Sequence, residues 1–202
     1  MTSTQNDATR PSSTPCRTVI ISGSFRENYS YQENIWAEHL ARRGDDVTVL
    51  TAGRRDRGPV KIKDYTVHWL KSNGLHSRHL YFEGRVGSIV DALMPDRVLW
   101  FGPPQLFGRS LIGRVGLNHV PLAIFMGQNS QMHPFDWRAP GISVKHRAVA
   151  FAYRLFRRRT IIAASQRAKL IVTATPETAT ILHELYPPSV QRELSEKVFP
   201  CP

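Results

Sequence analysis

Two short segments concentrate side chains able to bind a polyhydroxyl ligand. Gly127-Gln128-Asn129-Ser130-Gln131-Met132-His133-Pro134 follows the apolar run Leu122–Met126 and offers amides, a hydroxyl and an imidazole. Such groups match the donors and acceptors of sugar hydroxyls. The same Asn and Ser chemistry also serves a loop that only satisfies its own backbone. The second segment, Gly23-Ser24-Phe25-Arg26-Glu27-Asn28-Tyr29-Ser30, follows Thr18-Val19-Ile20-Ile21 and leads into a helix. Free amides at that helix start can face a phosphate, although an ordinary polar crossover loop has the same composition.

Other chemistries fail on spacing. The first loop is neither G-x-G-x-x-G nor a Walker loop, and Val47-Thr48-Val49-Leu50 runs into Thr51-Ala52, with no carboxylate for a ribose hydroxyl. A nicotinamide enzyme is therefore not expected. Gly108-Arg109-Ser110-Leu111-Ile112-Gly113 misses the nucleophile elbow G-x-S-x-G by one residue. His76 and His79 have no third ligand close in sequence, so no metal is expected. Cys16 and Cys201 form no C-x-x-C pair and read as free thiols rather than a staple. No cofactor is expected, and no catalytic residue is assigned.

Charge points to an anionic partner of some kind. The 202 residues carry 27 Lys plus Arg against 16 Asp plus Glu, a formal net charge of +11. No acidic residue lies between Asp136 and Glu177. The predicted helix Val144 to Arg159 has Val144, Ala148, Phe151 and Leu155 on one stripe, flanked by Lys145, Arg147, Arg154, Arg157, Arg158 and Arg159. Such a helix can lie on an anionic membrane, each cation adding about 1 kcal/mol, or pack on a core with a solvated basic face. Nucleic acid fits less well: no zinc knuckle, RRM signature or basic zipper is present, and the aromatics fall inside predicted elements. No apolar run approaches the roughly 20 residues of a membrane span, and Val19-Ile20-Ile21 is too short for a signal-peptide core. A cytoplasmic protein is expected, with peripheral contact on the inner membrane face as the option the basic helix leaves open.

The elements that must position these residues alternate. Short apolar strands are predicted at Thr18–Ile21, Val47–Leu50, Val98–Phe101, Leu122–Met126 and Leu170–Thr173, with a strand or hairpin arm over Val60–Trp69. Helices are predicted between them. The first opens on a capping box, Ser30-Tyr31-Gln32-Glu33, carries an Ile35, Trp36, His39, Leu40 stripe and ends at Gly44. Others cover Tyr81–Leu93 and Leu106–Leu117. The last has Thr175 as N-cap and Pro176 in its first turn, and Pro187-Pro188 ends it. Strands alternating with helices imply an α/β fold: one Rossmann-like, mainly parallel sheet with helices on both faces. Ligands of such sheets bind at the carboxyl ends of the strands.

Several segments together resemble the amino-terminal domain of glycosyltransferase family 4. Tyr29 to Asn34, followed by Ala41-Arg42-Arg43-Gly44-Asp45-Asp46-Val47-Thr48-Val49-Leu50-Thr51, is similar to the family's opening helix and "L-x-x-R-G-H-x-V-x-V-L-T". Pro95-Asp96-Arg97-Val98 resembles its "P-D-x-V". Pro121 to Asn129 resembles a subgroup with "Q-N" after the next strand. Ala168 to Thr175 resembles its "A-D-x-I-x-x-x-S". Where many members carry a histidine after the strand ending here in Met126, this chain has Gly127-Gln128-Asn129, and the first loop lacks the common double glycine.

The resemblance implies one half of a GT-B fold: residues 1–16 a disordered leader, 17–190 the acceptor-side domain, 191–202 the start of an interdomain linker. It implies sugar transfer from a nucleotide-sugar to a hydroxyl with retention, the acceptor being lipid-linked or a small molecule. The donor would bind through a carboxy-terminal domain, of which no E-x-seven-E segment is seen here. Gly23, Ser24, Tyr29, Ser30, Gln128, Asn129, His133 and Thr175 are the expected substrate-binding residues. The alternative is a non-catalytic Rossmann-like module that binds an anionic membrane or an acidic partner through the basic helix.

Overall fold

The structure is a computed structural model and describes residues 14–23, 25, 32–53, 57–71, 83–102, 119–126, 144, 159 and 161–200. In chain order the elements are β1 (Arg17–Ser22), α1 (Gln32–Arg42), β2 (Asp46–Gly53), β3 (Arg57–Ile62), β4 (Tyr65–Lys71), α2 (Glu83–Leu93), β5 (Arg97–Phe101) and β6 (Leu122–Met126). A helical stretch over 161–167, α3, follows. Then come β7 (Leu170–Thr173), α4 (Pro176–Leu185), α5 (Pro188–Ser195) and β8 (Val198–Pro200). The strands form one eight-stranded sheet in the order β3-β4-β2-β1-β5-β6-β7-β8. Every pairing is parallel except β3 with β4. The expected α/β class, with helices on both faces of a mainly parallel sheet, is the one observed.

β1 explains the layering. Its side chains alternate faces, as any strand's must, and all but Arg17 are buried. Val19 and Ile21 face one core with Leu50, Val98, Trp100, Ile124 and Met126; helices α2, α3, α4 and α5 seal it with Val90, Ile161, Leu182 and Leu194. Ile20 faces the other core with Val49, Val67, Leu99 and Phe101, sealed by Ala37 and Leu40 of α1. A strand buried on both faces reads in sequence as a continuous β-branched run, and so it does here.

The amino-terminal edge is tied by charge and hydrogen bonds. The Arg17 amide donates to Asp96 Oδ2 at 2.7 Å. Arg97 donates through Nε to Thr18 Oγ1 at 2.8 Å and pairs with Asp45. The Arg167 guanidinium donates to the Val120 carbonyl at 2.7 Å. α1 ends as expected: Gly44 has φ +91°, the Gly44 amide donates to the Ala41 carbonyl at 2.9 Å, and the Asp45 amide donates to the Leu40 carbonyl at 3.1 Å. These two bonds form a Schellman motif, which needs a left-handed residue at that position.

Several local expectations change. On α1 the buried residues are Asn34, Ala37 and Leu40, while Ile35 and Trp36 are 58% and 39% exposed. The apolar stripe is therefore out of phase with the packed face, because Ala37 contributes little hydrophobic signal and Asn34 none. Val60–Trp69 resolves into a hairpin whose two-residue turn, Lys63-Asp64, has Lys63 at φ 52°. Pro188 does more than stop a helix: it opens α5, where its missing N–H and fixed φ suit the first turn. Residues 191–200, expected as linker, finish α5 and form β8, because Leu194 is fully buried and Val198 packs on the first core. The predicted helix 106–117 lies outside the described residues. So does the basic helix 144–159 apart from its ends, Val144 and Arg159, both exposed. Among the described residues no helix is long and apolar enough to cross a membrane.

Two predictions follow from the packing. His68 on β4 has its pKa lowered from the ordinary 6.5 because burial disfavours the cation. The unfolded chain then binds the proton more readily. Stability should be fully present above pH about 6.5 and fall as pH drops below it. Urea unfolding at pH 8 and pH 5 should show this loss, and His68→Gln should flatten it. The Tyr186 hydroxyl bonds Ser165 Oγ at 2.9 Å inside the first core, where Ser165 is 0% exposed. Tyr186→Phe should cost about 1–2 kcal/mol, because Ser165 loses its partner without regaining water; denaturant melts of the variant measure it.

Candidate functional site

The chain leaves β1 toward β2 and β4 on one side and returns to β5 on the other. Such a reversal leaves a crevice at the carboxyl ends of the two strands, where open α/β sheets bind ligands. Its lips are Ser22-Gly23 and Phe101-Gly102, with Ser22 and Phe101 directly paired. Gly102 has φ +104°, and its amide donates to the Phe125 carbonyl at 2.8 Å. A Cβ added there would meet nothing within 4 Å. The glycine is required by backbone conformation, not by crowding.

Around the crevice, side chains are fixed by contacts across the fold. Ser22 Oγ donates to Glu33 Oε1 at 2.9 Å. The Glu33 carboxylate thus reaches the end of β1; Ser30, its expected capping-box partner, lies outside the described residues. The Phe25 amide donates to Thr51 Oγ1 at 3.0 Å, in a buried bond. The Phe25 ring is 4% exposed and meets Tyr65 edge-on at 6.1 Å. Phe25 is thus anchored by its own ring and by the Thr51 hydroxyl. Trp36 lies 5.6 Å from the Phe125 ring, which stacks on Phe101 at 4.5 Å.

The β7 end differs. Thr173 is fully buried, and its Oγ1 has no hydrogen-bond partner among the described residues. The Ala174 amide donates to the Met126 carbonyl at 3.0 Å. Thr175 caps α4 as expected: extended at φ −143°, ψ 156°, its Oγ1 accepts from the Thr178 amide at 3.3 Å. A hydrogen bond from the Thr175 side chain, then one from its own amide, holds the Glu177 carboxyl below the ordinary carboxylate range. The Thr175 hydroxyl is therefore engaged in the cap.

Of the expected substrate-binding residues, Gly23 and Thr175 both lie on the carboxyl edge. Three strand spacings separate β1 from β7, or about 14 Å. Ser24, Tyr29, Ser30, Gln128, Asn129 and His133 lie outside the described residues, as do Lys145, Arg147, Arg154, Arg157 and Arg158. Arg159 is exposed. Sequence reasoning missed Ser22, Glu33, Thr51 and Trp36. For Ser22 the signal was present: it is the polar residue that closes an apolar strand. Among the described residues no group of three or more His, Cys, Asp or Glu is placed to hold a metal.

No family model and no curated protein matches the chain. Among solved structures it is similar to the catalytic domain of Starch Synthase IV from Arabidopsis thaliana, bound to ADP and acarbose. The TM-score is 0.54 and the identity 12%; the match covers 93% of this chain and 51% of that one. The chain thus spans about half the length of the structure it matches. The likeness is one of fold: this α/β domain resembles one half of a GT-B glycosyltransferase.

Proposed function

We propose that the chain is the acceptor-side, amino-terminal lobe of a family 4-like GT-B glycosyltransferase. The observation that carries this reading is the strand order, with its single reversal at β1, over a domain that matches half of a starch synthase catalytic domain. That neighbour was bound to a nucleotide and a saccharide analogue, ADP and acarbose. By this reading a sugar passes from a nucleotide-sugar to an acceptor hydroxyl with retention, and the donor sits on a second lobe. In this reading the lobe takes in the elements from β1 through β8.

Each group has a role in this scheme. Gly23, Ser24, Tyr29 and Ser30 line the β1 side of the cleft. Gln128, Asn129 and His133, just past β6, orient the acceptor by hydrogen bonds to its hydroxyls. Thr175 shapes the β7 side through its cap. Holding the acceptor in line with the donor converts an encounter into an intramolecular step. Stabilising the departing diphosphate falls to the other lobe. The acceptor is lipid-linked or a small molecule. Lys145, Arg147, Arg154, Arg157, Arg158 and Arg159 set the lobe against anionic lipid at the inner face of a cytoplasmic membrane.

The test is saccharide binding by the 202-residue chain on a glycan array. Gln128→Ala and Asn129→Ala should each weaken binding about tenfold, near the value of one charge-free hydrogen bond, with unchanged unfolding curves. Unaltered binding in both variants overturns the acceptor assignment. The chain alone should release no nucleoside diphosphate from UDP-, ADP- or GDP-glucose. Turnover at an ordinary enzymatic rate, about 1–10³ per second, overturns the two-lobe division of labour.

A further inference from the structure

We draw no further inference here: the strongest candidate, the apolar register row of Phe125, Val172 and Phe199 on the second-core face of β6, β7 and β8, half-buried at the first two and 53% exposed at Phe199, is a sheet face for which nothing among the described residues shows what covers it.

Discussion

Thr18 through Ser22 are all buried, with β2 hydrogen-bonded along one side of β1 and β5 along the other. A parallel strand held this way cannot be reached by a tight turn from either neighbour; each connection must cross a face of the sheet. The crossover to β2 therefore carries α1 over one core, and the return to β5 carries α2 over the other. The reversal at β1 follows from those crossovers. So does the crevice at its carboxyl end, and with it the position of each group discussed as a site. Register is equally constrained, since a slip of one residue would exchange Ile20 with Ile21 between the two cores.

The two edges of the sheet are built differently. At the amino edge polar groups are matched: the Arg17 amide to Asp96, Arg97 to Thr18 and Asp45, Arg167 to the Val120 carbonyl. Several of these pairs are partly buried, where a hydrogen bond to a charge contributes about 1.5–3 kcal/mol. At the carboxyl edge the matching loosens. Thr173 keeps a buried hydroxyl with no partner among the described residues, Gly102 adopts a left-handed conformation, and Trp36 leaves over a third of its surface to water. The buried scaffold beneath is what allows such looseness to persist.

Much of the scaffold is legible because two-sided burial leaves a local mark. Val98-Leu99-Trp100-Phe101 is apolar throughout because it is buried on both faces of the sheet. β3 leaves no such mark: all its residues but Ile62 are exposed, Gly58-Pro59 argues against a strand, and the turn Lys63-Asp64 lacks the usual Asn-Gly. β8 is three residues long and depends on pairing with β7. The site divides along the same line. The positions of Gly23 and Thr175 just past β1 and β7 are legible, because they need only the strands. The Ser22–Glu33 bond is not legible because it spans eleven residues and a change of element, whereas sequence patterns are local. Trp36 is misread because a hydrophobic stripe cannot distinguish an aromatic packed inward from one left on the flank.

A sheet edge also limits what this domain can do alone. By the proposed function it presents the acceptor with a wall that includes the strand ends, the start of α1 and the cap of α4. Sugar transfer separates charge between the leaving diphosphate and the ring, and water at that moment would both screen the stabilising groups and compete as acceptor. Excluding it takes a second wall facing the first. By the two-lobe proposal the donor's charge belongs on the opposite wall.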